Sequence, residues 1–258
     1  QRDLRLYMLV GGMPQAVNEY LETNNLAKVD AAKRRIIQLY SEDFLKIDAT
    51  GRLSRLFMSI PAQLSRKTSR YYMSAVVGSV DNDKEEEMLV SLEDSKAVLV
   101  SYHSDDPNVG LSLTKDTSRY KLFAADTGLF VTMAFWDKGF AENIIYQKLL
   151  SDKLEANLGY LYENLVAQML TAAGNQLFYY TFEKDDKHFY EIDFMLTRGS
   201  KICPVEVKSS GYMTHASLDA FRKKYQARIQ NSYVLYTKDL QKGESGLLYL
   251  PVYMTPVL

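Results

Sequence analysis

The sequence predicts an α+β chain with a helical N-terminal region and a C-terminal region built on a sheet. Apolar residues recur at helical spacing through Ala31–Ile47, where Ile36, Tyr40 and Phe44 share one face. Beyond residue 154 the pattern becomes helix, three strands, helix and strand, which indicates an α/β sandwich. With 258 residues and 47% hydrophobic content, the chain can bury a sizeable core.

Residues 1–130 are predicted to form a helical and winged-helix-like region. Its helices are expected at residues 4–9, 15–21, 31–47, 53–59, 61–65 and 83–95. Strands at 97–102 and 119–124 follow, and three helices before a β-ribbon is the order of a winged helix. The last helix opens with acidic residues, which suit a helix N-terminus but would repel phosphates. A protein-facing or structural winged helix is therefore favoured over a DNA reader.

Residues 131–155 are expected to connect this region to a second domain at 156–258. The second domain is predicted to contain a helix at 156–173, a strand at 176–182, a hairpin at 187–208, a helix at 215–229, a strand at 232–236 and extended segments at 246–254.

The hairpin carries the most informative charges of the chain. Its segment MLTRGSKICP contains a Gly-Ser dipeptide typical of a type II′ turn. That turn places Asp193 opposite Glu206 and Glu191 opposite Lys208, with all four side chains on one face. Facing carboxylates repel each other and favour a hard cation such as Mg²⁺. A half-buried strand with a polar outer face and a Glu191–Lys208 ion pair explains the same pattern.

Composition excludes several classes of protein. Cys203 is the only cysteine, so the chain cannot form an internal disulfide or a four-cysteine zinc site. A reducing, cytoplasmic setting is expected. No apolar run is long enough to predict a membrane span, and the formal net charge of −1 gives no global basic character. The chain begins at Gln1 inside a helical pattern, which indicates a fragment of a longer polypeptide.

Asp193 followed by Glu206-Val207-Lys208 on the adjoining strand resembles the PD-(D/E)XK (restriction-endonuclease-like) superfamily. The resemblance implies that Asp193 and Glu206 hold Mg²⁺ or Mn²⁺, with the Val207 carbonyl as a further ligand. It also implies that Lys208 orients or helps to deprotonate the attacking water. Glu163, on the helix in the place of that fold's first helix, would complete the metal site.

Other residues have secondary roles under the same resemblance. Ile192 stands where the superfamily usually has Pro, and Glu191 is an accessory candidate. Tyr225 and Gln226 offer the chemistry of the superfamily's helix-borne Gln-Tyr partner. The nearby basic run is either a solvated helix face or a phosphate-contacting patch, and its members are Arg222, Lys223 and Lys224.

A second resemblance covers nearly the whole chain. The sequence is similar to the C-terminal half of a bacterial and archaeal family of AAA+-type ATPases that end in a PD-(D/E)XK-like domain. The matching landmarks are Gly11–Val17, Tyr120–Leu129, Gly159–Leu170, Phe178–Tyr180, Glu191–Leu196 and Cys203–Ser210. In that family the ATPase module lies upstream. The sequence contains no G-x-x-x-x-G-K-[ST], so this fragment is not expected to bind ATP.

Three functions agree with these patterns. The first is a metal-dependent nuclease acting on DNA as the effector domain of the ATPase. The second is a regulatory module that keeps the nuclease fold and binds DNA or a protein partner, the latter through the winged-helix-like region. In the third, the hairpin carboxylates are surface residues without a metal.

Overall fold

The computed structural model describes residues 2–66, 68–142, 144–151 and 159–258. The α+β class is confirmed, with a helical N-terminal region and a C-terminal sheet domain. Contacts divide the chain into two units, and each is described by itself. The helical unit comprises Gln1–Leu99 with Leu122–Leu154, and the sheet unit comprises Val100–Lys121 with Glu155–Leu258. The predicted domains at 1–130 and 156–258 are continuous, whereas these units are discontinuous because the chain passes from one unit to the other within β1 (Val98–Ser104) and again within β2 (Lys115–Ala124).

Most of the described helices belong to the helical unit. They are α1 (Arg2–Val10), α2 (Pro14–Thr23), α3 (Leu26–Ile47), α4 (Arg52–Ser65), α5 (Ser74–Val77), α6 (Asn82–Asp94), α7 (Thr127–Met133), α8 (Ile144–Leu150), α9 (Gly159–Ala172) and α10 (Ala216–Lys224). None of the helices in the described ranges combines the length and apolar character needed to cross a membrane.

The strands form two sheets. They are β1 (Val98–Ser104), β2 (Lys115–Ala124), β3 (Leu177–Asp185), β4 (His188–Ile192), β5 (Phe194–Arg198), β6 (Lys201–Val207), β7 (Ser232–Tyr236), β8 (Gln241–Lys242) and β9 (Leu247–Pro251). The first sheet has the order β2-β1-β3-β4 and the second β5-β6-β7-β9-β8. Strands β6, β7 and β9 run parallel. α10 connects β6 to β7 and contacts β6, and α9 packs on β3 and β6.

Two sequence landmarks meet in the helical unit. The Asp126 carboxylate, at the N-terminus of α7, accepts hydrogen bonds from Leu129 N at 2.8 Å and Gly12 N at 2.6 Å. A Cβ atom on Gly128 would lie 2.5 Å from the Gly11 Cα atom, so only glycine permits this approach. The Gly-Gly-Met-Pro turn and the start of α7 therefore lock together.

A buried lysine lies beside these landmarks. Lys33 Nζ donates to Leu9 O at 2.6 Å, Gly128 O at 3.0 Å and the Tyr146 hydroxyl at 2.5 Å. Tyr146 in turn donates to Asp30 Oδ1 at 3.0 Å. Burial lowers the pKa of Lys33 to about 7, although the carboxylates of Asp30 and Asp126 oppose that shift.

Several elements differ from their predicted form. The helices predicted at 53–59 and 61–65 are one helix, α4, with Pro61 inside it. The helix continues through the proline because Leu56, Phe57, Ile60 and Leu64 on both sides of it are buried. α10 ends at Lys224, short of the predicted residue 229, and a 3₁₀ turn at Gln226–Arg228 follows.

The region between residues 95 and 173 also differs in detail. The ribbon predicted as a wing does not stand apart, because β1 pairs in parallel with β3, for example at Tyr102 and Phe178. The predicted connection at 131–155 contains the end of α7 and all of α8. The helix predicted from residue 156 is described from Gly159 onward, and its first three positions lie outside the described residues.

Candidate active site

The turn between β5 and β6 sets the position of the charged residues. Gly199 has a φ of 57° while Ser200 is not among the residues with positive φ, the combination that a type II′ turn requires. The predicted register is confirmed along the ladder, from Arg198 opposite Lys201 to Phe194 opposite Val205.

The ladder ends at Asp193, where the chain bends between β4 and β5. Asp193 Oδ2 accepts a hydrogen bond of 2.7 Å from Val207 N. Glu191 consequently belongs to β4, where it lies opposite Thr181 of β3. The prediction that Glu191 lies opposite Lys208 is therefore wrong, because the carboxylate–backbone bond replaces the strand pairing at the bend.

Glu206 presents a buried carboxylate at the end of β6. Lys208 Nζ lies 2.7 Å from Glu206 Oε1 and forms an ion pair with it. The second oxygen, Oε2, is buried and has no hydrogen-bond partner among the described residues. A buried carboxylate oxygen without a partner is unfavourable unless a cation or water compensates it.

Burial and the neighbouring carboxylates raise the pKa values of Asp193 and Glu206. The pKa of Asp193 is raised to about 8, first because of burial and then because Glu206 and Glu191 repel its charge. Burial also raises the pKa of Glu206, while Lys208 opposes the shift and Glu191 and Glu163 add to it. Burial alone would lower the pKa of Lys208, but Glu206, Asp193 and Glu163 outweigh it and the pKa is raised. The site thus holds more negative charge than its environment readily supports.

α9 carries Glu163 toward this group. The field of Glu163 acts on Glu206 and on Lys208. A Cβ atom on Gly159 would lie 4.0 Å from both Glu163 Oε1 and Ser209 Oγ, which places Glu163 near the loop after β6. Among the described residues, a group that could hold a metal has ligand atoms that all lie within 4.8 Å of one another. The carboxylate oxygens of Glu163, Asp193 and Glu206 do not meet this criterion.

Lys121 is the residue that the sequence reasoning missed. It lies near the end of β2, its side chain is 7% exposed, and its Nζ forms an ion pair with Glu191 Oε1. Burial would lower the pKa of Lys121, but Glu191, Glu163 and Asp193 raise it instead. The sequence does contain one indication of this ion pair, since Lys121 lies inside the apolar run Tyr120–Phe123. A lysine in such a run is expected to be buried, and a buried lysine needs a carboxylate partner.

A family model described as a domain of unknown function (DUF8612) matches residues 1–139 of the 258. The chain belongs to the DUF8612 family. A second model, also a domain of unknown function (DUF4143), matches residues 158–254, which include the carboxylates of the hairpin. No curated protein and no solved structure matches the chain.

Another acidic group of this DUF8612 chain contains His103, Asp105 and Asp116, whose ligand-type atoms lie within 4.8 Å of one another. His103 Nδ1 lies 3.1 Å from Asp105 Oδ1, and its Nε2 accepts a 3.2 Å hydrogen bond from Thr181 N. Both ring nitrogens of His103 therefore have hydrogen-bond partners within the protein. Arg119 lies 3.9 Å from Asp105, so hydrogen bonds and an ion pair account for the group without a metal.

The remaining predicted residues lie elsewhere in the sheet unit. The Tyr225 hydroxyl shares a 2.8 Å hydrogen bond with the Tyr180 hydroxyl, which places Tyr225 in an aromatic cluster, and Gln226 is exposed. Arg222 donates to the backbone carbonyls of residues 244 and 245. Lys223 and Lys224 are exposed, and Lys224 Nζ lies 5.4 Å from the centre of the Phe182 ring.

Proposed function

We propose that the sheet unit is a Mg²⁺- or Mn²⁺-dependent nuclease domain that hydrolyses phosphodiester bonds of DNA. The observation that carries the proposal is the buried Glu206 Oε2 atom without a hydrogen-bond partner, beside an Asp193 whose pKa is raised by burial and by Glu206 and Glu191. Excess negative charge of this kind is what a divalent cation neutralises.

The donor set suits such a cation by its chemistry, since carboxylate and carbonyl oxygens are the ligands that Mg²⁺ and Mn²⁺ prefer. Asp193, Glu206 and the Val207 carbonyl would hold the ion, with Glu163 completing its ligands. A bound divalent ion lowers the pKa of its water and neutralises charge on the phosphodiester. Glu206 holds Lys208 at 2.7 Å, and the raised pKa of Lys208 keeps it protonated at neutral pH. Lys208 therefore orients water and donates to a phosphate oxygen, and does not act as a base in this arrangement.

The test combines metal binding with DNA cleavage. Linear single- and double-stranded DNA is incubated with the chain and Mg²⁺ or Mn²⁺, and binding of the same ions is measured by calorimetry. Glu206→Gln and Lys208→Met are expected to lose cleavage, with Glu206→Gln also losing metal binding. Glu183→Gln, an exposed position on β3, is the matched control. Failure of both ions to bind, or intact DNA in every form tested, contradicts the proposal.

Lys121 favours a second candidate, a regulatory module that keeps the nuclease fold without cutting. Its ammonium group pairs with Glu191 and acts on Glu163 and Asp193, so it supplies positive charge where a metal would. Such a module would bind DNA, or a protein partner through the helical region. Salt-sensitive retardation of DNA in a gel with unchanged DNA length supports this candidate, and cleavage abolished by Lys208→Met excludes it.

We also propose that the chain works in the cytoplasm as part of an AAA+-type ATPase whose phosphate loop lies upstream. Support comes from the ordered landmarks, two of which pack together through Asp126 and Gly12. Cys203, the only cysteine, is buried as a free thiol, in agreement with a reducing setting. Calorimetric titration with ATP is expected to show no binding to the chain of 258 residues, and saturable binding would contradict the upstream position of the phosphate loop.

A further inference from the structure

A cavity of about 310 Å³ opens next to Lys208 in the sheet unit. It is lined by two stretches, residues 208–214 after β6 and residues 236–238 at the end of β7. β6 and β7 are neighbouring parallel strands, and Lys208 N donates to Leu235 O at 2.8 Å. The cavity therefore lies beyond the carboxyl ends of two neighbouring parallel strands.

The chemistry of the lining is cationic and aromatic. Lys208 and Lys238 both line the cavity, and its lining includes no carboxylate side chain. Lys238 Nζ lies 4.9 Å from the centre of the Tyr212 ring. The Tyr212 ring in turn packs 4.8 Å from the ring of Tyr236. A ligand that matches this lining has a negative charge next to a flat, apolar ring.

The loop leaves room for such a ligand. Gly211 has a φ of 62°, and a Cβ atom there would meet no heavy atom within 4 Å. Ser210 is exposed beside it, so one wall of the cavity consists of backbone and a small hydroxyl group. The volume is at the lower end of the range for small-molecule sites, about 300 to 1,000 Å³, and suits one nucleotide but excludes a duplex.

We infer that this cavity binds one unstacked nucleotide of a single DNA strand, with its phosphate between Lys208 and Lys238 and its base against Tyr212. The inference rests on the proposed function, because Lys208 belongs to both sites. It adds a substrate class: the strand entering the site is single-stranded at this point, and the cavity receives the nucleotide next to the phosphate that Lys208 contacts.

The test measures DNA binding without cleavage. Fluorescence anisotropy of a labelled oligothymidylate is recorded in EDTA, with thymidine monophosphate, thymidine and inorganic phosphate as competitors. The monophosphate is expected to compete at lower concentration than either fragment. Tyr212→Leu is expected to weaken binding by about fivefold or more. Lys238→Gln is expected to reduce the slope of log K against log salt by about 0.7, and Ser210→Glu to abolish the competition by repulsion.

Lys201→Gln is the matched control, since Lys201 is exposed at the opposite end of β6. Circular dichroism verifies that each variant is folded. The inference is overturned if all three cavity variants bind the oligonucleotide as tightly as wild type. It is also overturned if the monophosphate does not compete, or if the oligonucleotide does not bind at all. If wild-type protein cleaves DNA and the cavity variants bind it normally, the inference about the cavity is wrong and the nuclease proposal stands. If the cavity variants weaken DNA binding but wild-type protein does not cleave DNA with Mg²⁺ or Mn²⁺, the nuclease proposal is wrong and the nucleotide-binding inference stands.

Discussion

Replacing Lys121 by methionine tests the charge balance of the site directly. The side chain is 7% exposed and its partner Glu191 is 29% exposed. Methionine keeps most of the aliphatic volume, so the change removes the charge without leaving a large cavity. Of the two ammonium groups beside Glu163, Glu191, Asp193 and Glu206, the change leaves Lys208, whose side chain is 25% exposed.

The expected loss of stability follows from the geometry. Removing one partner of a fully buried ion pair costs about 3 to 5 kcal/mol. Because Glu191 keeps contact with solvent, we expect about 2 to 3 kcal/mol for Lys121→Met, a decrease of roughly 5 to 10 °C in the unfolding temperature of the sheet unit. The same loss of positive charge should tighten Mn²⁺ binding by roughly tenfold.

The assay is thermal unfolding with and without Mn²⁺, followed by calorimetric titration of the metal. In the variant, a saturating ion should restore about 2.7 kcal/mol at a concentration 100-fold above its Kd. Lys201→Met, which removes an exposed lysine from the same hairpin, should change neither quantity. If Lys121→Met is as stable as wild type without metal and binds Mn²⁺ no more tightly, Lys121 does not compensate the carboxylates and the reasoning is refuted.

Further predictions concern one glycine in each unit and the buried lysine of the helical unit. Gly128→Ala should destabilise by about 3 kcal/mol in chemical denaturation, because its Cβ atom would lie 2.5 Å from Gly11 Cα. Gly199→Ala should cost only about 1 kcal/mol, since its φ of 57° is strained for alanine but its Cβ atom meets no atom within 4 Å. The pKa of Lys33 is about 7 in the folded chain against an ordinary value of 10.5. The unfolded chain therefore binds more protons between these values, and stability should rise with pH in that window. Between about pH 7 and 9 the stability of wild type relative to Lys33→Met should increase by about 2 kcal/mol, and a flat difference would contradict the lowered pKa.

Local sequence signals predicted the parts of the fold that depend on neighbours in the chain. The Gly-Ser turn and the alternation of apolar residues sufficed for the register from Phe194 to Arg198, because a hairpin register depends on its turn. The division of α4 at Pro61 was wrong because burial on both sides of the proline outweighs its local preference. The pairing of β1 with β3 joins residues more than 70 positions apart, for example Tyr102 and Phe178, and no local pattern encodes it.

The same distinction separates the contacts around Asp193 that could be predicted from the one that could not. Asp193, Glu206 and Lys208 lie within sixteen positions of sequence, so their spacing sufficed to predict that they come together, as the Asp193–Val207 hydrogen bond and the Glu206–Lys208 ion pair show. Lys121 reaches Glu191 across 70 positions of sequence, and only the fold shows that the two side chains meet.

That missed lysine changes how the site is understood. A raised pKa at Asp193 means that the group of carboxylates will take up positive charge, and three sources compete for the role: a proton, the Lys121 ammonium and a divalent ion. A nuclease and a non-cutting module with the same fold differ in which source prevails at neutral pH. If the metal prevails, Asp193 must lose its proton when the ion binds, so metal affinity should rise as the pH increases toward about 8. If the ammonium prevails, wild-type protein binds metal weakly at every pH and Lys121→Met binds it well. One titration series on two proteins therefore distinguishes the two functions without any knowledge of the DNA substrate.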